Sequence, residues 1–580
     1  MAAASLNVFK GRDSVRDYFD PDQNPPLPLV EIPDRLNPYR QDGVRIYAKM
    51  LTALPAQNVK SLPALNMLMG KPEAEKQKII EASSGSTVLS LGIVSRVLWG
   101  NGDVTAAVTN KKTKESLKLL RFFGLNIFLY GGLAQQEPTD PRGIMSRLRR
   151  RAEEDETVCY PGQYDNADNW KSHERWTGAQ ILRQLPEIDI FCTTVGTGGC
   201  ITGTGSYFKA NKPSVTVLGI FNVFGDPTPG PRHLHGFKSC GFPWKDSVDT
   251  YREVASEDAY RASMLLSREG LIAGPSSGQA LRGLLDHVGA LKDGDRLDEL
   301  RGGKAGGEVN CVFTCSDLPY QYLDGYFAKL GEDEFPRIEN EILLSCDQDR
   351  HDERWILEPA EAARLVLGEK ATAQSSSQED LQSNRSSSRT DRIVCSKKHR
   401  GHTPPQTRRT SISARLRRLF CPGQQQQQPA SSLRQCEAAT PSQNAAAGPV
   451  IIDLRSARDF DEAHLGGSVS LPLPGLRPDT AGGDLFGDAE AVHRAWSGLR
   501  DLFGGADAEA VLDEAAAVAA GVSRDVLVVC YDGDVSRLAT SGLRSRGVAA
   551  CSVLGGWGKI VALKEEEEGS GERGVVVEKE

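Results

Sequence analysis

The chain has 580 residues, 39% hydrophobic and 25% charged. That balance suits a protein with large buried cores and excludes collagen-like, coiled-coil and wholly disordered classes. Its net charge of −8 conceals a split: residues 385–418 carry 11 Lys/Arg against one acid, Asp391, a local +10 that leaves −18 on the remainder. No run of 18 apolar residues occurs, and the start, Met1–Lys10, lacks a charged head, apolar stretch and cleavage site, so neither a membrane span nor secretion is expected. The 12 cysteines form neither a disulfide framework nor a zinc pattern; Cys311 and Cys315 have no matching second pair. No metal is expected, and the thiols suit a reducing, cytoplasmic setting.

Residues 1–24 read as an N-terminal extension, and 25–368 alternate short apolar runs with helical patterns. Val44–Met50, Val104–Thr109, Ile188–Val195 and Val215–Ile220 each precede a Gly- or Ser-rich turn and a helically spaced segment. That alternation predicts βαβ units, an α/β fold with mostly parallel sheets. Within it, Lys60 stands between the strand ending near Met50 and the apolar helix Leu62–Leu68. A lysine at such a turn can be desolvated and form a Schiff base, although most lysines there are simply solvated.

The run Ile80–Thr87 breaks a strand into a Ser/Gly turn and a helix, with Ser84, Gly85, Ser86 and Thr87 at the turn. Such a turn offers amides and hydroxyls to a carboxylate or phosphate, or is an ordinary helix cap. After another buried strand come Gly196, Thr197, Gly198, Gly199 and Cys200. A dinucleotide-binding fingerprint would need glycine where Ile201 stands, so a single-phosphate cradle fits better. Ser276, in Gly274–Gly278, is placed to hydrogen-bond a heterocyclic nitrogen, or again to cap a helix.

In this order and context the four stretches resemble the pyridoxal-phosphate enzymes of the tryptophan-synthase-β fold, in particular the cysteine synthase/cystathionine β-synthase family, over roughly residues 25–345. Gln163 in Pro161–Asn169, Thr177–Gly178, Lys111–Gly124 and Pro229–Pro231 join the resemblance. It implies a fold-type-II enzyme with two α/β subdomains and bound pyridoxal 5'-phosphate. Lys60 would carry the cofactor and shuttle a proton. Gly196–Cys200 would cradle the phosphate, Ser276 would face the pyridine nitrogen, and Ser84–Thr87 with Gln163 would grip an amino-acid substrate. Ser86 would lie by the ring oxygen where the family usually has Asn. Cys200 replaces a family Thr, and the loop His235–Phe242 is bulkier than the family's and brings in Lys238.

Residues 369–447, rich in Ser, Gln, Arg and Pro with the run Gln424–Gln428, read as a disordered linker. Arg408–Ser411 within it offers a phosphorylation motif or only a solvated tether. Its charge lacks the aromatic interleaving of a nucleic-acid site. A second α/β unit is expected over 448–564, and an acidic, loose tail over 565–580. Asp453–Arg455, Phe460–Gly467, Val526–Arg537 and Leu554–Trp557 resemble a rhodanese (sulfurtransferase) domain. That resemblance implies a reactive Cys530, its pKa lowered by surrounding loop amides, with Val535 where the family usually has an arginine. A buried structural thiol is the alternative.

Sulfur chemistry would then join both halves. The resemblance implies cysteine synthesis from O-acetylserine and sulfide or another sulfur donor, in a homodimer. A cysteine desulfhydrase releasing sulfide, pyruvate and ammonia shares the chemistry, and a non-catalytic scaffold with degenerate sites is the third reading.

Overall fold

The computed structural model describes residues 7–83, 85–112, 114–131, 138–237, 241–300, 307–348, 352–367, 448–478, 484–516, 525–570 and 577–578. Ser84, Lys238 and the linker 369–447, including Arg408–Ser411 and Gln424–Gln428, lie outside them. The chain divides into two units, Met1–Pro336 and Arg337–Glu580.

The first unit is built on two sheets. The larger has the order β1 (Leu29–Glu31), β2 (Val44–Met50), β10 (Val309–Cys315), β7 (Ile190–Thr194), β8 (Thr216–Asn222) and β9 (Thr250–Val254). Only the β1–β2 pair is antiparallel. The smaller is wholly parallel, in the order β5 (Asn126–Tyr130), β4 (Val104–Thr109), β3 (Lys78–Ala82) and β6 (Val158–Cys159). Their central strands are buried on both faces: every residue of β4 and β10 is buried. This explains why they read as continuous apolar runs. Two α/β subdomains, each on a mostly or wholly parallel sheet, are present, as the resemblance implies.

Parallel strands deliver their following turns to one edge of a sheet. The turn carrying Lys60 follows β2, the glycine loop follows β7, and Asp317 follows β10. In the smaller sheet the 83–87 turn follows β3. The Pro275–Asp293 helix packs on the larger sheet and on the Ser256–Arg268 helix. Gly278 permits the close helix contact, since a Cβ there would lie 2.2 Å from the Ala259 carbonyl oxygen.

The second unit holds a parallel sheet ordered β11 (Ile356–Leu357), β16 (Ala550–Val553), β15 (Val526–Val529), β12 (Val450–Asp453) and β14 (Ser468–Ser470). Residues 337–367 thus belong here rather than to the larger domain, where the sequence reading to 368 put them. Ile356 and Leu357 pair with β16, Ala362 and Cys346 are buried in this unit's core, and Ser541 Oγ donates to Asp347 at 2.8 Å. The segment misled because its strand–helix pattern continues the alternation before it, and composition changes only afterwards.

The loose tail expected from Glu565 also differs: a helix runs over Gly556–Ser570, and β17 (Val577–Glu578) pairs antiparallel with β13 (His464–Leu465). Buried Ile560 anchors this helix, and glutamates extend it because they are good helix formers. Among the described residues no helix is long and apolar enough to cross a membrane.

Candidate active site

Lys60 caps the Ser61–Met69 helix. Its N–H donates to Asn58 Oδ1 at 2.9 Å, and Ser90 Oγ donates to the same oxygen at 2.9 Å. The Val59 N–H reaches the Ser316 carbonyl at 2.7 Å, tying this turn to the end of β10. Gln57 holds φ +56°, the left-handed region that a non-glycine residue occupies at a cost. The turn is therefore rigid and locally strained. Burial pushes the half-buried Lys60 ammonium below its ordinary pKa, and the acidic groups of the neighbouring Cys200 and Asp317, to the extent that each ionises, oppose that fall. A desolvated lysine of this kind is the state that favours a nucleophilic amine.

The same three-way electrostatic contact locates the other elements. Cys200 lies in the first turn of the Gly199–Asn211 helix, whose cap Gly198 has φ +87°. A Cβ on Gly196 would sit 2.8 Å from the Gly230 carbonyl oxygen, and one on Gly199 would sit 2.1 Å from Asn169 Oδ1. At these two positions the loop packs too closely on neighbouring oxygen atoms to admit a side chain. Thr197 Oγ1 accepts from the Gly199 N–H at 3.3 Å and from Asn169 Nδ2 at 3.2 Å. Burial raises the Cys200 thiol pKa, so the residue in the family's Thr position is neutral, with Thr193 as a sulfur-bonding neighbour at 3.8 Å.

Asn169 also donates to the Gln163 carbonyl at 2.6 Å. Gln163 Oε1 accepts from Thr87 Oγ1 at 2.6 Å, and its Nε2 donates to the Ala82 carbonyl at 3.0 Å. One chain of hydrogen bonds, Thr87–Gln163–Asn169–Thr197, thus joins the 83–87 turn to the glycine loop. Gly85 caps the Ser86–Trp99 helix, and Ser86 is its first residue, half-buried. Ser276 is buried in the first turn of the Pro275–Asp293 helix. Its neighbour Ser277 accepts from the Ser316 N–H at 3.0 Å, and the Gly274 N–H reaches the Asp317 carbonyl at 2.8 Å.

Three functional candidates escaped the sequence reading. Asp317 Oδ2 accepts from Tyr322 at 2.6 Å, and burial pushes this carboxyl up to about 6. His173 bonds Thr177 Oγ1 at 2.9 Å, and burial, with Lys60 nearby, lowers it to about 3, so the ring is neutral. Asn169 is the third. A signal existed for two of them: Asn169, His173 and Thr177 recur at four-residue steps, one polar face on a helical stretch. Among the described residues the buried atoms Asp317 Oδ1, His173 Nε2 and Asn169 Oδ1 have no hydrogen-bond partner. Such atoms beside Lys60 and a Cβ-free anion cradle fit a polar, phosphorylated group.

Cys530 belongs to the second unit. It directly follows β15, ahead of the Asp534–Arg544 helix. Its Sγ accepts from the N–H groups of Gly533 at 3.2 Å and Ser536 at 3.3 Å. The expected lowering of its pKa is not found: burial pushes the thiol up to about 11, outweighing those amides, with the Asp532 charge adding to the rise. Among the described residues no group of three or more His, Cys, Asp or Glu could hold a metal ion.

Residues 22–297 match the model of the pyridoxal-phosphate dependent enzyme family. The cysteine synthase of Aquifex aeolicus is 31% identical over 262 residues, 44% of this chain and 78% of that protein. The probable cysteine synthase of Bacillus subtilis is 31% identical over 273 residues, 44% of this chain and 83% of its own length. A solved O-acetyl serine sulfhydrylase isoform 3 from Entamoeba histolytica is 21% identical, covers 57% of this chain and 96% of its own, and superposes with a TM-score of 0.44. The chain belongs to the pyridoxal-phosphate-dependent enzymes. Within them its N-terminal half is cysteine-synthase-like, and pyridoxal phosphate is the cofactor that this membership implies.

Proposed function

We propose that the first unit makes cysteine by β-replacement, exchanging the leaving group of an activated serine such as O-acetylserine for sulfide. The observation that carries this reading is the desolvated Lys60 beside Cys200 of the glycine-rich loop, which Asn169 and Gln163 join by hydrogen bonds to Thr87, in a chain related to cysteine synthases. Gly196–Cys200 hold the phosphate, Ser276 faces the pyridine nitrogen, and Ser86 lies by the ring. Gly85, Thr87 and Gln163, with Ser84 of the same turn, bind the substrate carboxylate. Bound pyridoxal phosphate supplies the electron sink. The chain's part is to orient and to move protons: Lys60 Nζ, held below its usual pKa, takes the proton from the substrate Cα. Neutral His173 and Cys200 add no competing charge around the cradle.

Product analysis tests the reaction. Cysteine formed from O-acetylserine and sulfide, without pyruvate from cysteine alone, supports the synthase. Pyruvate and sulfide from cysteine alone reject it in favour of desulfhydrase.

For the second unit the reading is a rhodanese-like module with Cys530 as sulfur carrier; because that unit begins at Arg337, residues 369–447 fall within its sequence rather than between the two units. The five-stranded parallel sheet and the amides directed at Sγ support it. Thiosulfate-to-cyanide transfer lost in Cys530→Ser supports catalysis, and no transfer in the parent protein removes it for thiosulfate. The raised pKa carries its own expectation: iodoacetamide alkylates Cys530 slowly at pH 7 and progressively faster toward pH 11. Full labelling at pH 7 at the rate of an exposed thiol contradicts this account of the loop.

A further inference from the structure

Glu81 is the fourth residue of β3 and has no solvent exposure. Its Oε2 accepts from the N–H groups of Gly162 at 2.9 Å and Gln163 at 3.3 Å, and its Oε1 accepts from the Ala82 N–H at 2.9 Å. One carboxylate thus ties the strand end that launches the 83–87 turn to the separate turn that carries Gln163. Gln163 closes a ring by returning two bonds, to the Ala82 carbonyl and from Thr87 Oγ1. An isolated buried charge is costly unless its hydrogen bonds are satisfied, and here, among the described residues, the backbone amides of Ala82, Gly162 and Gln163 satisfy it. Gly162 is at φ +74°, the left-handed conformation that lets its amide and the next both face Glu81.

We propose that Glu81 is a positioning residue for the amino-acid substrate: it fixes Gln163, and through it Thr87, so that the 83–87 turn is preset to receive a carboxylate. The inference rests on the reading of that turn as the substrate loop. An apolar residue at position 81 would keep the strand while leaving three amides without their acceptor. Glu81 touches neither the cradle nor Lys60, so its effect falls on substrate binding.

The protonation behaviour of the carboxylate follows from its surroundings. Burial pushes it up to about 7, the three amides oppose that rise, and Asp165 adds to it. The other ionisable groups around it are Cys159 of β6, Tyr160 directly after it, and Arg149 of the Ile144–Glu154 helix, which is paired with Asp165; β4 contributes none. As pH falls through about 7 the carboxylate takes up a proton and gives up acceptor capacity toward Gly162 and Gln163. KM for the amino acid therefore rises on that limb.

The test uses the full chain loaded with pyridoxal phosphate and compares parent, Glu81→Gln and Glu81→Asp, with O-acetylserine as substrate. Glu81→Gln is expected to raise KM about tenfold and to leave kcat within about threefold. It should also abolish the rise in KM below pH 7 and speed amide exchange at Gly162 and Gln163 in the substrate-free protein. If Glu81→Gln does not fold, Glu81→Asp, which keeps the charge and shortens the reach, is expected to show a smaller KM rise and the same faster exchange. Unchanged KM with unchanged exchange in a folded variant overturns the inference, as does a fall confined to kcat. A parent that turns over no amino acid defeats the proposed reaction instead. The exchange rates then decide the clamp by themselves, faster exchange supporting it and unchanged exchange rejecting it.

Discussion

Lys60→Ala is expected to cost at least ~10³-fold in turnover, the scale of losing a nucleophile and a proton carrier together. It should also leave the cofactor non-covalently and weakly held, read as loss of the visible absorbance after gel filtration. The position justifies that size of effect. Lys60 is held by a strained Gln57, by Asn58 and Ser90 below it, and by the Val59–Ser316 bond to β10. No other lysine combines desolvation with contact to the glycine loop among the described residues. Lys49 is also buried and lowered to about 7, but its ammonium is committed to Leu27, Gln180 and Gln184 at 2.7–3.0 Å. Wild-type absorbance and turnover in Lys60→Ala would assign the chemistry elsewhere.

The second large effect is on stability. Gly203→Ala is expected to cost about 3 kcal/mol or more and to lower cofactor loading, measured by denaturant unfolding and absorbance. A Cβ there would lie 1.9 Å from the Trp170 carbonyl oxygen and 2.7 Å from the Glu174 nitrogen, both backbone. Neither atom can yield without separating the Gly199–Asn211 helix from the segment bearing Asn169 and His173. Glycine at this seam is what lets the cradle's helix approach. Gly131→Ala, which meets nothing within 4 Å, serves as the tolerated control. A Gly203→Ala protein as stable as Gly131→Ala would mean that the helices have slack there.

Much of this site was legible because its parts are local. Val44–Met50 and Val104–Thr109 read as strands and are strands with those limits, since buried parallel strands write themselves as apolar runs. Lys60, Gly196–Cys200 and Ser276 could be singled out because each lies in a short turn between a strand and a helix, where glycine and small polar residues have few other reasons to cluster. Glu81 and Asp317 were illegible for the opposite reason. Each is a single acid in or just after an apolar strand, and its partners stand 81 and 82 positions away for Glu81. Residues 337–367 were misassigned because pattern shows that strand and helix are present without saying which sheet takes them. The lowered pKa expected for Cys530 failed on magnitude: its amides are where the motif implied, and burial outweighs them.

Lys60 is the residue proposed to carry the cofactor of this cysteine-synthase-like enzyme. Borohydride reduction of the cofactor-loaded full chain, followed by mapping of its proteolytic peptides by mass spectrometry, tests it most directly. One reduced phosphopyridoxyl adduct is expected, on the peptide containing Lys60. An adduct on Lys49 or any other lysine, or no adduct in protein that has bound the cofactor, would contradict it.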